Sequence, residues 1–186
     1  MSLQTGLFKT KIDNPVLGLD LSLTGTGIVL IGGDGKPSHG RTVGYALQKG
    51  ATQQQRIERL IDVAKSISAI IEELFPHIGT GPSFRDLVIA IEGFAFGARF
   101  GGEFLGELQG VVKVQLYSQY GKVPVVYPPT KVRKTVFGYG GSDKKRIKVI
   151  VDKLEEQGVF GDFKFEDHNQ RDAWAVAEYA RLELAK

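Results

Sequence analysis

The stretch from Leu87 to Ile91, Leu-Val-Ile-Ala-Ile, constrains the fold more than any other. It is an unbroken apolar run bounded by Arg85-Asp86 and Glu92-Gly93, the pattern of a strand buried on both faces, and it reads as a central parallel strand. Residues 16–21, 27–31 and 41–47 read as an antiparallel meander. Its first two strands join through Thr24 and Gly25, and the next two through the turn Gly32-Gly33-Asp34-Gly35. From residue 53 to 75, Ile57, Leu60, Ile61, Ala64, Ile67, Ile71 and Leu74 recur at three- and four-residue steps, which predicts an amphipathic helix ended by Pro76. Helical spacing returns over residues 103–120, followed by a short strand at 123–127 that Pro128-Pro129 stops. Thr130 is placed to cap a helix to Phe137, Ser142 to cap a basic helix to Gln157, and residues 170–184 form a last helix. Strands followed by alternating helix and strand give an α/β fold with a mixed sheet.

A length of 186 residues, 42% of them hydrophobic, suits one domain, with residues 1–14 as a loosely held terminus. The absence of cysteine excludes disulfides, thiol nucleophiles and cysteine zinc sites, so a metal would be held by oxygen or imidazole. No apolar run approaches the ~20 residues of a membrane span, and the opening MSLQTGLFKT lacks the apolar core of a secretory signal. The expected compartment is the cytoplasm, and no membrane partner is expected. The formal charge is only +3, but its placement is uneven. Lys131, Arg133, Lys134, Lys144, Lys145, Arg146 and Lys148 fall within one short segment, opposed there only by Asp143. Such a run is either a solvated helix face or the footprint of a polyanion.

Three acidic residues stand where a purely structural side chain would be out of place. Asp20 interrupts the apolar strand Val16-Leu17-Gly18-Leu19, where a carboxylate is costly unless paired, hydrogen-bonded or bound to metal. Glu92 follows Ile91 at the carboxyl end of the buried strand, the edge at which α/β sheets place ligands. Asp172 opens the last helix, preceded by Asp167, His168 and Asn169. Carboxylates gathered at one sheet edge repel one another and are tolerated mainly when divalent cations neutralise them. Hard cations such as Mg²⁺ and Mn²⁺ suit an all-oxygen set and also bind phosphate oxygens, which points to metal-assisted phosphodiester hydrolysis.

With these residues in view, the sequence resembles the RuvC family of Holliday-junction resolvases, within the ribonuclease H-like superfamily. The resemblance runs in family order through Gly18-Leu-Asp20-Leu-Ser22-Leu-Thr24-Gly-Thr26-Gly27, Ala90-Ile-Glu92, the segment from Tyr127 to Lys144, and Asp172-Ala-Trp-Ala-Val-Ala177. It implies a ribonuclease H-like α/β fold, whose mixed five-stranded sheet is antiparallel over its first three strands and then parallel, flanked by helices. It also implies that Asp20, Glu92 and Asp172 are metal ligands, holding two Mg²⁺ ions for which Mn²⁺ substitutes. The family has an acid or histidine three residues before the last aspartate. This chain has Asn169 there, so Asp167 becomes the expected fourth ligand and His168 a further ligand or general base.

By the same resemblance, Arg133, Lys134, Lys144, Lys145 and Tyr139, around a glycine-rich segment, face DNA. Phe94, Phe96 and Phe100 occupy the loop that carries an aromatic wedge in the family. The implied activity is cleavage of four-way junctions and other branched DNA, in recombination and repair, by a homodimer leaving 5′-phosphate and 3′-hydroxyl ends. Small size and the variant Asp167-His168-Asn169 segment suggest a phage-type member, acting in a host cytoplasm. Two other readings remain open on sequence grounds. One is an actin-like nucleotide-binding module, suggested by Asp20-x-Ser22 and the Thr24-Gly25-Thr26-Gly27 turn. The other is a nuclease of the same fold acting on RNA–DNA hybrids.

Overall fold

The structure, a computed structural model, describes residues 13–46, 50–76, 82–93 and 102–186. Most of the expected loose terminus, Leu47 and the three loop phenylalanines Phe94, Phe96 and Phe100 lie outside the described residues. The elements in chain order are β1 (Val16–Asp20), β2 (Thr26–Ile31), β3 (Pro37–Val43), α1 (Gln53–Leu74), α2 (Pro82–Arg85), β4 (Val88–Glu92), α3 (Gly102–Tyr120), β5 (Val125–Tyr127), α4 (Pro129–Phe137), α5 (Lys144–Glu156) and α6 (His168–Leu184). The strands form one five-stranded sheet in the order β3-β2-β1-β4-β5. β1, β2 and β3 pair antiparallel, while β4 runs parallel to both β1 and β5. The mixed sheet is therefore the expected one. Its middle strand is β1; β4 is internal beside it, with Ile89, Ala90 and Ile91 buried.

Alternation along the strands sends side chains into two cores. Leu17, Leu19, Ile28, Ile89 and Ile91 pack with α1 and α3 on one face. Val16, Val29, Ile31 and Ala90 face α4, α5 and α6 on the other. The second core is rich in rings: Phe160 meets Trp174 edge-on at 4.8 Å between centroids and Phe165 at 4.9 Å. Helix α6 is buried continuously from Ala173 to Leu182. It also contains an ion pair, with Arg181 donating from Nε to Glu178 Oε2 at 2.7 Å and both side chains only 1% exposed.

Glycine lets α6 lie directly on the sheet. A Cβ on Gly18 of β1 would overlap the Ala173 carbonyl oxygen and stand 2.8 Å from Ala177 Cβ. A Cβ on Gly27 of β2 would overlap the Asn169 backbone. Ordinary side chains at these positions would hold the helix away from the strands.

Several boundaries differ from the sequence reading. β3 runs over Pro37–Val43 rather than 41–47, because pairing resumes as soon as the turn closes, with Ile31 opposite Pro37 and Leu30 opposite His39. β3 is an edge strand with exposed positions, so Pro-Ser-His-Gly-Arg carries no apolar run to announce it. β1 ends at Asp20 rather than Leu21, and β5 begins at Val125 rather than Val123. Thr130 does not cap α4. That helix begins at Pro129, where a missing N–H costs nothing, after Pro128. Ser142 does not cap α5 either: Asp143 does, accepting from Lys145 N at 3.0 Å and Arg146 N at 3.3 Å. α6 begins at His168, so Asp172 sits inside its second turn instead of opening it. The short helix α2 has no signal in the sequence.

Candidate active site

Strand register builds the site from its floor. Leu19 pairs with Ile91 across the parallel β1–β4 ladder, so Asp20 and Glu92, the last residues of the two strands, emerge side by side at the carboxyl edge. The contacts of Gly27 with Asn169 and of Gly18 with Ala173 set the direction of α6 above them. Its N-terminal turn lies over the carboxyl end of β1, which places Asp172, the residue before Ala173, on the same edge. That end of a helix carries the positive pole of its dipole and favours negative charge.

The electrostatics of the three acids follow from this placement. Burial drives the Asp20 carboxyl well above the usual carboxylate range, the charges of Glu92 and Asp172 push it further, and Arg133 and Lys144 oppose the rise. Burial also pushes Glu92 up to about 7, with Arg133 pulling down and Asp172 pushing up. Asp172 is raised by burial against the pull of Arg133, His168, Lys144 and Arg171. Arg133 acts on all three acids, and it touches one directly: its Nη2 donates to Glu92 Oε2 at 3.1 Å. The pair is largely enclosed, with Glu92 10% and Arg133 18% exposed.

Hard, buried carboxylate oxygens suit a divalent cation in donor chemistry. Among the described residues, however, no three acidic or histidine side chains draw close enough to hold one ion together. Glu92 is turned to Arg133 instead.

The other expected site residues fall in different places. Asp167 is the N-cap of α6, accepting from Gln170 N at 2.9 Å and Asn169 Nδ2 at 3.2 Å. Burial works against its charge, but these hydrogen bonds hold its carboxyl below the usual range. His168, the next residue, acts on Asp172. Lys144 opens α5 and acts on both Asp20 and Asp172. Lys134 and Lys145 are exposed. Tyr139 is half-buried, packs against the α6 core and stacks under Arg146, whose guanidinium carbon is 4.0 Å from the ring centre. Lys131 lies within reach of Glu183 near the other end of α6, so the basic run does not all face one way.

Sequence reasoning missed Arg59. It is buried on α1 beside the apolar stripe and donates from Nη2 to the Leu23 carbonyl at 2.8 Å. It thereby ties α1 to the turn that follows Asp20. Within that turn Thr26 Oγ1 donates to Ser22 O at 2.6 Å and accepts from Ser22 N at 3.0 Å. The one available signal was a charged residue directly before Leu60 on the buried side of the helix.

No protein-family model matches the chain. Over 95 residues it is 33% identical to the crossover junction endodeoxyribonuclease RuvC of Chloroflexus aggregans, a match covering 50% of this chain and 51% of that protein. The structure of Thermus thermophilus RuvC superposes with a TM-score of 0.61 at 24% identity, over 91% of this chain and 96% of that one. The same protein in complex with a Holliday junction substrate gives 0.65 at 23%, with the same coverage. The chain has the RuvC fold. The Fowlpox virus resolvase, solved with substrate Holliday junction DNA, is more distant, with a TM-score of 0.50 at 13% identity over 91% of this chain and 97% of that one. The sequence match to the Chloroflexus RuvC spans about half the length of that relative.

Proposed function

We propose that this RuvC-like chain is a structure-selective endodeoxyribonuclease that cuts Holliday junctions and other branched DNA. One observation carries the reading: acids 20, 92 and 172, far apart in sequence, act on one another at the edge where β1, β4 and the N-terminus of α6 meet. Asp20, Glu92 and Asp172 would hold the divalent cations, two Mg²⁺ per site with Mn²⁺ as a substitute. The fourth donor would come from the first turn of α6, where His168 neighbours Asp172 and Asp167 would have to leave its capping role. Magnesium would supply the water activation and charge neutralisation that phosphodiester hydrolysis needs, leaving 5′-phosphate and 3′-hydroxyl ends.

The chain's own residues do the rest. Arg133 and Lys144, already within the field of the acids, hold the scissile strand's phosphate there. Lys134, Lys145 and Tyr139 extend that contact along the α4–α5 connection, where Gly138 turns the chain at φ 65°. Phe94 and Phe96 supply the aromatic wedge from the segment after Glu92. Two-fold paired incision calls for a homodimer. The outer face of α3, with Val114 67% and Tyr117 63% exposed, is offered as its contact surface, and light scattering of the DNA-free protein checks the mass. We place this activity in the cytoplasm, as a single nuclease domain. No helix among the described residues is long and apolar enough to cross a membrane.

A panel of four-way, flap, linear duplex and RNA–DNA hybrid substrates in Mg²⁺ tests the reading. Symmetric nicks on the four-way junction, faster than on linear duplex or hybrid, are the expected result. Preferred cleavage of hybrid would replace branched DNA with the RNA–DNA alternative, and no cleavage of any substrate would remove the nuclease altogether.

Lys144→Ala should weaken junction binding and lower the slope of log affinity against log salt by about one, the share of one phosphate contact. Equal slopes for parent and variant would show that Lys144 does not meet phosphate.

A further inference from the structure

We propose that Arg133 is an exchangeable counter-ion: it occupies Glu92 when no metal is bound, and it must leave that carboxylate for metal to enter, so metal and DNA phosphate bind cooperatively through one side chain. The inference rests on the nuclease reading of the same site.

The geometry is specific. The guanidinium reaches Glu92 from α4, an element that contributes none of the acids, and meets only one of its carboxylate oxygens, Oε2. Both side chains are largely shielded from water. In such surroundings neither charge is easily left alone, because a buried charge stripped of its partner costs several kcal/mol. A metal ion arriving at Glu92 meets a carboxylate already in use and a cation that repels it. Removing Arg133 from Glu92 without giving it a new partner would strand the guanidinium in the same enclosure.

A phosphate resolves this conflict. A phosphodiester oxygen accepts from guanidinium as readily as a carboxylate does, and with comparable geometry. The exchange conserves the count of pairs: Arg133 passes from carboxylate to phosphate, and Glu92 passes from guanidinium to metal. Each ligand removes the obstacle to the other, so each raises the other's affinity by the same factor. The same contact accounts for the failure of the three acids to close around a common point in this structure, since Glu92 is held toward α4.

The test measures metal binding directly, by Mn²⁺ titration followed by electron paramagnetic resonance at pH 8. It uses the full chain, with and without a four-way junction made uncleavable by phosphorothioate linkages at the cut sites. The parent should bind Mn²⁺ weakly alone and at least about 10-fold more tightly on the junction. Arg133→Ala should bind Mn²⁺ more tightly than the parent in the absence of DNA and lose most of the gain on adding the junction. Arg133→Lys, which keeps the charge, should retain part of the coupling. Equal Mn²⁺ affinity for parent and Arg133→Ala without DNA would overturn the exchange while leaving the metal site intact. If neither protein binds Mn²⁺ under any condition, the metal site itself is wrong and the proposal falls with it. Circular dichroism of each variant verifies folding, and the parent's coupling factor gives a second measure that needs no variant.

Discussion

Asp20→Asn should abolish junction cleavage and at the same time make the metal-free protein more stable. The first effect follows from the proposed function: the amide loses the charge that attracts a hard cation, and cleavage should fall by at least about 10²-fold, since loss of even an outer-sphere partner costs metal sites 10–100-fold. Junction binding through the basic α4–α5 connection should survive. The second effect follows from electrostatics. Burial and two neighbouring acids hold the Asp20 carboxyl well above its ordinary range in the folded chain. Between the ordinary pKa and the raised one, the folded state binds more protons than the unfolded state, so stability falls as pH rises through that window. Glu92, raised to about 7, adds to the same decline from its ordinary value upward. Removing one charge relieves Glu92 and Asp172 together. Melting in EDTA at pH 8 should therefore rise by several degrees in the variant, at ~2–4 °C per kcal/mol for a chain of this size. The advantage should disappear toward pH 4, where the parent's own carboxyls are protonated. A variant that cuts junctions normally would end the metal assignment; one that melts identically to the parent at pH 8 would end the account of the cluster as a source of strain.

Gly18→Ala is expected to be among the most damaging small substitutions at the described glycines. The new methyl would collide with the Ala173 carbonyl oxygen and with Ala177 Cβ, and neither side of that contact is a flexible side-chain end. Overpacking a core ordinarily costs about 1–3 kcal/mol, and backbone against backbone belongs at or beyond the upper end. Melting should drop by about 6 °C or more. Because the displaced element is α6, Asp172 moves with it, and cleavage should fall further than residual folded protein accounts for. Gly110→Ala supplies the contrast. Its position in α3 has open space around the added methyl, and the same chemical change should there stabilise by about 0.5–1 kcal/mol. If thermal melts of the two variants coincide, the close approach of α6 to β1 is not what fixes the helix.

Much of this architecture is legible in the sequence wherever one physical signal dominates. The run from Leu87 to Ile91 identifies β4 because an internal strand leaves no polar position to blur the pattern. The stripe from Ile57 to Leu74 identifies α1, although Ile57 and Ile61 themselves are exposed. The start of β3 is hidden because an edge strand with Pro, Ser, His and Arg resembles a loop. Ser142 stands one residue before the true cap and Thr130 lies inside its helix, since Ser, Thr and Asp all qualify by type and only geometry chooses among them. Asp20, Glu92 and Asp172 stand out as carboxylates attached to apolar segments. Whether two such segments lie side by side depends on register and helix direction, which no local pattern encodes. Arg59 was illegible for the complementary reason: its partner is a backbone carbonyl, which every residue possesses.

The order of the chain and the order of the fold run opposite to each other at α6. The element that follows all others in sequence seats itself on the first strand, with Gly18 waiting for Ala173 across more than 150 intervening positions. A ribosome-bound or truncated chain that stops short of His168 lacks both the helix that lies directly on β1 and β2 and the third member of the acid trio. On the proposed function, synthesis itself would act as a safety catch, since partly made molecules would carry the basic segment before the complete set of acids.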